Sequence, residues 1–216
     1  MAQRFVIHRA QPQKRLLEQA AKCLREGGLG VAATDAGYAL VCPLDEKSAV
    51  ERLRAIRRID ERHLLTLLCR DLSELSNYAQ VDNQQYRFLK RWTAGPYTFV
   101  LPANRAVPRR LAHPSRKTVG LRVPDDAVVQ GLLAAHGEPL LASTLRLPGE
   151  AESLADPDEI IERLGKQLDF FLDVGWVASP PTTIVDLTAG APSLLREGLG
   201  YDAIAGELEP RAPEPG

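Results

Sequence analysis

The sequence predicts an α/β fold: one open sheet of mixed parallel and antiparallel strands, flanked by helices. Three observations carry that expectation. Strand-length apolar runs alternate with helix-spaced segments over the first two thirds of the chain. Nearer the C-terminus strands follow one another directly, which argues against a purely parallel sheet. Short polar segments, most with Gly or Pro, stand at or beside the expected strand ends, and open α/β sheets bind ligands at strand ends.

The elements follow in order. Residues 1–8 read as a first strand. Leu16, Leu17, Ala20, Ala21 and Leu24 recur at helical spacing and stop at Gly27-Gly28. Residues 29–34 form a buried strand, and Val50, Leu53 and Ile56 mark a second helix. Residues 64–69 are an apolar strand, and Asp71 opens a short turn or helix. Tyr86, Leu89 and Lys90 suggest a helix ending near Trp92. Strands are expected over 97–101, 119–123 and 140–144, with a helix through Val128, Leu132 and Leu133. Asp156-Pro157-Asp158-Glu159 begins a helix, with an N-cap, a first-turn proline and acids at the positive end of the dipole. Strands over 170–174, 183–187 and 193–195 complete the sheet. Residues 1–206 are expected to form one domain, and 207–216 a disordered acidic tail.

Composition bounds the function. With 216 residues, 44% of them hydrophobic and 25% charged, the chain can bury a substantial core. No apolar run reaches the length of a membrane helix, and polar residues return too early for a signal peptide. Cys23, Cys42 and Cys69 lie far apart in apolar contexts, which favours buried free thiols and a cytoplasmic protein. The chain lacks zinc-like spacing of ligands, a Gly-x-x-x-x-Gly-Lys loop and a Gly-x-Gly-x-x-Gly turn. Ser143 stands on no Gly-flanked elbow, so no nucleophile is assigned, and no metal is expected on protein side chains alone.

The net charge of −1 hides a division. Residues 1–122 carry 22 Lys+Arg and 11 Asp+Glu, whereas residues 123–216 carry 5 and 17. One basic cluster spans Arg52, Arg54, Arg57, Arg58 and Arg62; a second spans Arg105, Arg109, Arg110, Arg116 and Lys117, a stretch without acids. Such a division can produce a field that attracts nucleotide or nucleic acid, or it can be a solvated face paired with nearby acids. The remaining chemistry is one of positioning. Arginines and strand-end hydroxyls could align a triphosphate whose oxygens are bridged by Mg²⁺.

Several segments together resemble the YrdC/YciO family, which includes threonylcarbamoyl-adenylate synthases. The family's Pro-Thr-Glu-Thr-x-Tyr-Gly-Leu is similar to residues 33–40, Ala-Thr-Asp-Ala-Gly-Tyr-Ala-Leu. Its Pro-Gly-Pro-x-Thr is similar to residues 94–98, and its Arg-x-Pro to Arg122-Val123-Pro124. Its Ser-Thr-Val-Val-Asp strand resembles residues 182–186, and its Arg-x-Gly resembles Arg196-Glu197-Gly198. The resemblance spans roughly residues 13–200. It implies a twisted open sheet with a large concave basic cleft. It also implies ATP (with Mg²⁺), L-threonine and bicarbonate as substrates, giving threonylcarbamoyl-AMP and pyrophosphate for modification of adenosine 37 in tRNA. The family association with double-stranded RNA makes a non-catalytic RNA or tRNA binder the alternative. Carried onto this chain, the resemblance assigns Arg57, His63, Thr144, Thr183 and Arg196 to nucleotide and phosphate. It assigns Thr34, Arg122 and Ser143 to the amino acid or carboxylate. The second basic cluster is the RNA candidate.

The chain departs from the synthase pattern at named positions. The synthases' Lys-x-Arg with a further Lys falls on Arg57, Ile59 and His63, and their Ser-x-Asn on Thr144-Leu145-Arg146. The second Thr of Thr-Glu-Thr is Ala36. These residues, with Leu147-Pro148-Gly149, resemble the YciO branch and imply a weakened or altered synthase activity.

Overall fold

The computed structural model describes all residues except 109, 110, 116, 179 and 210–216. Ten strands form one sheet: β1 (Gln3–Val6), β2 (Gly30–Thr34), β3 (Gly37–Pro43), β4 (Thr66–Leu68), β5 (Tyr97–Pro102), β6 (Thr118–Arg122), β7 (Leu140–Thr144), β8 (Phe170–Asp173), β9 (Thr183–Asp186) and β10 (Ser193–Arg196). Their spatial order is β1-β8-β2-β3-β7-β4-β6-β5-β9-β10. Parallel pairs (β1 with β8, β8 with β2, β4 with β6, β5 with β9) are interspersed with antiparallel ones. The mixed sheet expected from the chain is therefore present.

Helices cover both faces. α1 (Lys14–Arg25) and α5 (Ala127–His136) bury Leu17, Ala21, Leu24, Val129 and Leu133 against one face. On the other face α2 (Lys47–Arg57), α4 (Asn83–Trp92) and α6 (Pro157–Leu164) supply Leu53, Ile56, Phe88, Leu89 and Ile160. Local chemistry sets the helix starts. Asp82 and Gln85 form a reciprocal capping box on α4, and Asp156 accepts from Asp158 N and Glu159 N ahead of Pro157. α3 (Leu72–Ser76) is capped by Asp71. Close approach decides one glycine: a Cβ on Gly30 would lie 2.3 Å from the Phe170 ring, so the β2–β8 pairing admits no side chain there.

Two elements escape the periodicity argument. β3 turns back from β2 through Asp35-Ala36, with Gly37 at φ 92°. Its run is continuously buried, so no alternation marks it. A short α7 (Tyr201–Ile204) runs into a 3₁₀ turn (Ala205–Glu207). The ordered fold consequently passes residue 206. Leu208 packs against the core and Glu209 N donates to the Pro192 carbonyl at 2.8 Å. Of the expected tail 207–216, residues 210–216 lie outside the described residues.

The divided charge is partly spent inside the fold. Among the described residues, five ion pairs join residues before 123 to residues after it: Arg4–Asp158, Arg4–Asp173, Arg9–Asp126, Arg52–Asp169 and Arg91–Glu207, at 2.6–2.9 Å. Cys42 and Cys69 are buried, while Cys23 is only half-buried; burial pushes the Cys42 thiol up to about 12. Among the described residues, no helix is long and apolar enough to cross a membrane.

Candidate functional site

Strands that carry Leu and Val elsewhere carry small or hydroxyl residues at one place in the sheet. β7, β4 and β5 present Ala142, Thr66 and Thr98 there, and the space they leave is a cleft. Its outer part is a cavity of about 740 Å³, within the usual range for a small-molecule site. It adjoins a recess of about 40 Å³, and the two share Thr66, Thr98, Ala142, Ser143, Thr144 and Thr182.

The recess is built on a buried ion pair. Arg122, at the end of β6, is 6% exposed. It bonds Asp35 in the β2–β3 turn and donates from Nε to the Gly95 carbonyl at 3.3 Å. Gly95 N in turn donates to the Val123 carbonyl at 2.9 Å, so the Gly-Pro and Arg-x-Pro segments hold each other. Burial lowers the Arg122 pKa and the Asp35 carboxylate opposes that shift. Asp35 Oδ2 is buried and has no hydrogen-bond partner among the described residues. Thr34 Oγ1 donates to the Gly37 carbonyl at 2.8 Å and accepts from Ala36 N at 3.1 Å, closing the turn.

The outer cavity gathers cations. Arg57, at the end of α2, donates from Nε to Ser143 Oγ at 3.0 Å and also reaches the Arg146 carbonyl. Arg196, at the end of β10, holds the Thr182 carbonyl at 2.8 and 3.0 Å and Thr182 Oγ1 at 2.9 Å. Gly198 makes that grip possible: a Cβ there would lie 2.4 Å from the Pro181 carbonyl. Arg146 and His63 complete the set. The Arg146 guanidinium is exposed and makes no hydrogen bond or ion pair among the described residues. Burial lowers the pKa values of Arg57 and Arg196, and Arg146 lowers both further. His63 is lowered by burial, then by Arg57, Arg54 and Arg146, against a raising effect of Asp60. Among the described residues, Glu152 is the one carboxylate in this lining. Three guanidinium groups and one imidazole therefore line a single cavity, and the lowered pKa values of Arg57, Arg196 and His63 record, after burial, their closeness to one another.

The expected site residues are mostly brought together. Arg57, His63, Ser143, Thr144 and Arg196 line the cavity, and Thr34, Arg122, Ser143 and Thr144 line the recess. Thr183 is the exception. Strand alternation turns it into the core, fully buried, with its hydroxyl donating to the Leu199 carbonyl at 3.0 Å. Its neighbour Thr182 faces the cleft instead. The described members of the second basic cluster do not line the cleft. Arg105 and Lys117 are exposed on the connection between β5 and β6, which leaves the Pro102–Thr118 end of that pair. Arg122 and Thr98 sit at the opposite end. Arg109, Arg110 and Arg116 lie outside the described residues. Sequence reasoning assigned Thr183 rather than its neighbour Thr182, and gave no binding role to Arg146 or Trp176. Arg146 was recognisable as a departure from the synthase pattern; Trp176 carried no signal beyond its Gly175 neighbour and the later Pro180-Pro181.

Known proteins resemble this chain in sequence and fold. The family model Sua5/yciO/yrdC, described as telomere recombination, matches residues 22–198. YciO of Escherichia coli K12, described as uncharacterized, is 48% identical over 200 residues, 93% of this chain and 97% of that one. The crystal structure of E. coli YciO superposes with a TM-score of 0.89 over the same shares. A threonylcarbamoyl-AMP synthase of Vibrio vulnificus is 32% identical over 187 residues, 84% of this chain and 98% of that one. The P. abyssi Sua5 structure complexed with L-threonine has the same fold, with a TM-score of 0.85 at 24% identity, over 95% of this chain and 62% of that one. From residue 22 to residue 198, then, the strands and segments that build the cleft are those of the Sua5/YciO/YrdC family, and the chain belongs to it.

Proposed function

We propose that the cleft binds ATP along its cationic wall and a small carboxylate in its recess, and joins them as an adenylate in the manner of the threonylcarbamoyl-AMP synthases. The observation that carries this is the lining itself: Arg57, Arg146, Arg196 and His63 face one cavity that, among the described residues, contains a single carboxylate. A polyphosphate would relieve their mutual repulsion. In the reaction, a carboxylate or carbamate oxygen attacks the α-phosphorus of ATP. The new P–O bond forms as the bond to pyrophosphate breaks, and pyrophosphate leaves with the electron pair. Arg57, Arg146 and Arg196 would stabilise charge on the phosphates, worth roughly 1.5–3 kcal/mol for each charge-assisted fork. Ser143 and Thr144, between cavity and recess, would orient the attacking group.

The departures from the synthase pattern move the charge rather than remove it. Ile59 packs against the core and supplies none. Arg146 supplies a cation just beyond the end of β7, beside Ser143 and Thr144. The described residues contain no group of three His, Cys, Asp or Glu that could hold a metal. Mg²⁺ would therefore arrive on the phosphates, the usual mode for this ion.

Isotope exchange between ATP and pyrophosphate tests the reading. With L-threonine and bicarbonate present, label should pass from pyrophosphate into ATP. Saturable ATP binding without exchange, across a panel of small carboxylates, would reduce the protein to a nucleotide binder.

A further inference from the structure

A cleft that holds a nucleotide must also accommodate its base, and the phosphate-facing residues offer no surface for one. Trp176 does. It is 68% exposed, and of the exposed large hydrophobic residues described (Met1, Val6, Tyr86, Trp176, Leu199) it alone lines the cavity. Exposure of one apolar side chain means little by itself. Here the backbone around it is fixed. Tyr38 Oη accepts from Val174 N at 3.0 Å and donates to the Gly175 carbonyl at 2.7 Å. Gly175 N donates to Asp173 Oδ1 at 2.8 Å, and Val177 N to the Ala155 carbonyl at 3.2 Å. Burial pushes the Tyr38 phenol up to about 12, so its proton stays in place at ordinary pH. Val177, next along the chain, is 4% exposed. The indole is thus held out from a turn pinned on both sides.

Its surroundings complete the chemistry. Ala155, Ala178, Pro180 and Pro181 make the adjoining lining apolar, and the prolines offer no N–H. Arg57, Arg146 and Arg196 line the same cavity. An occupant that covers both parts has a flat apolar ring at one end and negative charge at the other. We infer that Trp176 is the stacking platform for the ligand's nucleobase, with the phosphates on the arginines. This rests on reading the cleft as a nucleotide site. Among the described residues the lining contains no Asn or Gln to read a base edge, so stacking area sets preference and purine nucleotides bind better than pyrimidine ones.

The chain has two tryptophans. Replacing the half-buried Trp92 by Phe leaves Trp176 as the sole indole reporter. In Trp92→Phe protein, ATP with magnesium should quench the fluorescence, whereas inorganic tripolyphosphate should displace ATP without quenching. In the otherwise native chain, Trp176→Ala should weaken ATP about tenfold and leave the tripolyphosphate affinity unchanged, with Trp176→Phe recovering part of the loss. If tripolyphosphate and ATP bind equally well and Trp176 stays silent, the stacking site is wrong while the phosphate site stands. Equal weakening of both ligands by Trp176→Ala would also overturn it. Absence of binding by either ligand would remove the nucleotide reading and this one with it.

Discussion

Arg122 and Arg146 belong to one cleft but live under different rules. Arg122, in the recess, is 6% exposed and commits its guanidinium to Asp35 and the Gly95 carbonyl. Arg146, at the cavity, is exposed and has no such partner among the described residues. A charge removed from water must be balanced from within the protein, because desolvation costs several kcal/mol per ion. A charge left in water is screened and can remain unbalanced at little cost. The Arg122–Asp35 pair therefore belongs to the architecture, whereas the charge of Arg146 on the outer wall is left without a protein counter-charge among the described residues.

The largest effect should come from breaking the recess. Arg122→Ala leaves the Asp35 carboxylate buried and alone, and should cost about 3–5 kcal/mol of stability. A urea midpoint that does not move would show the pair to be dispensable. Replacing both partners together, Arg122→Met with Asp35→Leu, should recover much of the loss. The outer wall should behave the opposite way. Arg146→Ala should change stability by no more than about 0.5 kcal/mol yet raise the ATP dissociation constant about tenfold, roughly 1.4 kcal/mol. Arg57→Ala should weaken ATP similarly and also destabilise by about 1 kcal/mol, because it removes the Ser143 hydrogen bond. Equal stability losses for Arg122→Ala and Arg146→Ala would erase the distinction between the two regions.

A smaller effect follows from His63, whose folded pKa lies below its ordinary value of 6.5. Below that value the unfolded chain takes up a proton that the folded protein resists, so stability must fall as pH drops from 6.5 towards the folded pKa. His136, lowered by burial and with both ring nitrogens unpartnered among the described residues, adds to the same trend. Urea midpoints measured between pH 7 and 5 should decline, and His63→Gln with His136→Gln should flatten the decline. Bound polyphosphate should flatten it too, since an anion beside His63 favours the proton. The smallest effect is expected away from the cleft. If the second basic cluster meets duplex RNA, Arg105→Ala with Lys117→Ala should lower the salt slope of binding by about two. No change in slope would leave that cluster as solvated surface.

Much of this could be read from residues, and the failures have physical reasons. The strands at 97–102, 118–122 and 140–144 announce themselves as bounded apolar runs. β3 does not, since burial on both faces removes the alternation that marks a strand. Thr182 and Thr183 are chemically equivalent in sequence, and only the register with β5 decides which hydroxyl meets the cleft. The arginine clusters were visible, but not which members the acids of the second half would neutralise. Arg52 is paired with Asp169, whereas Arg57 lines the cavity. That depended on the strand order, which brings residue 3 beside residue 170.

The same pairing has a consequence in time. β1 lies at the sheet edge and its partner is β8, with Gln3 opposite Phe170. A ribosome adding ~5–20 residues per second needs roughly 8–30 seconds to make the intervening chain. Asp158 and Asp173, the counter-charges of Arg4, are made equally late. Nascent chains stalled near residue 160 should accordingly be cut by protease within residues 1–12, and those stalled well past β10 should resist. Until β8 emerges, the strand carrying Arg4 is a tethered cationic segment beside an anionic ribosome surface, waiting for its place in the sheet.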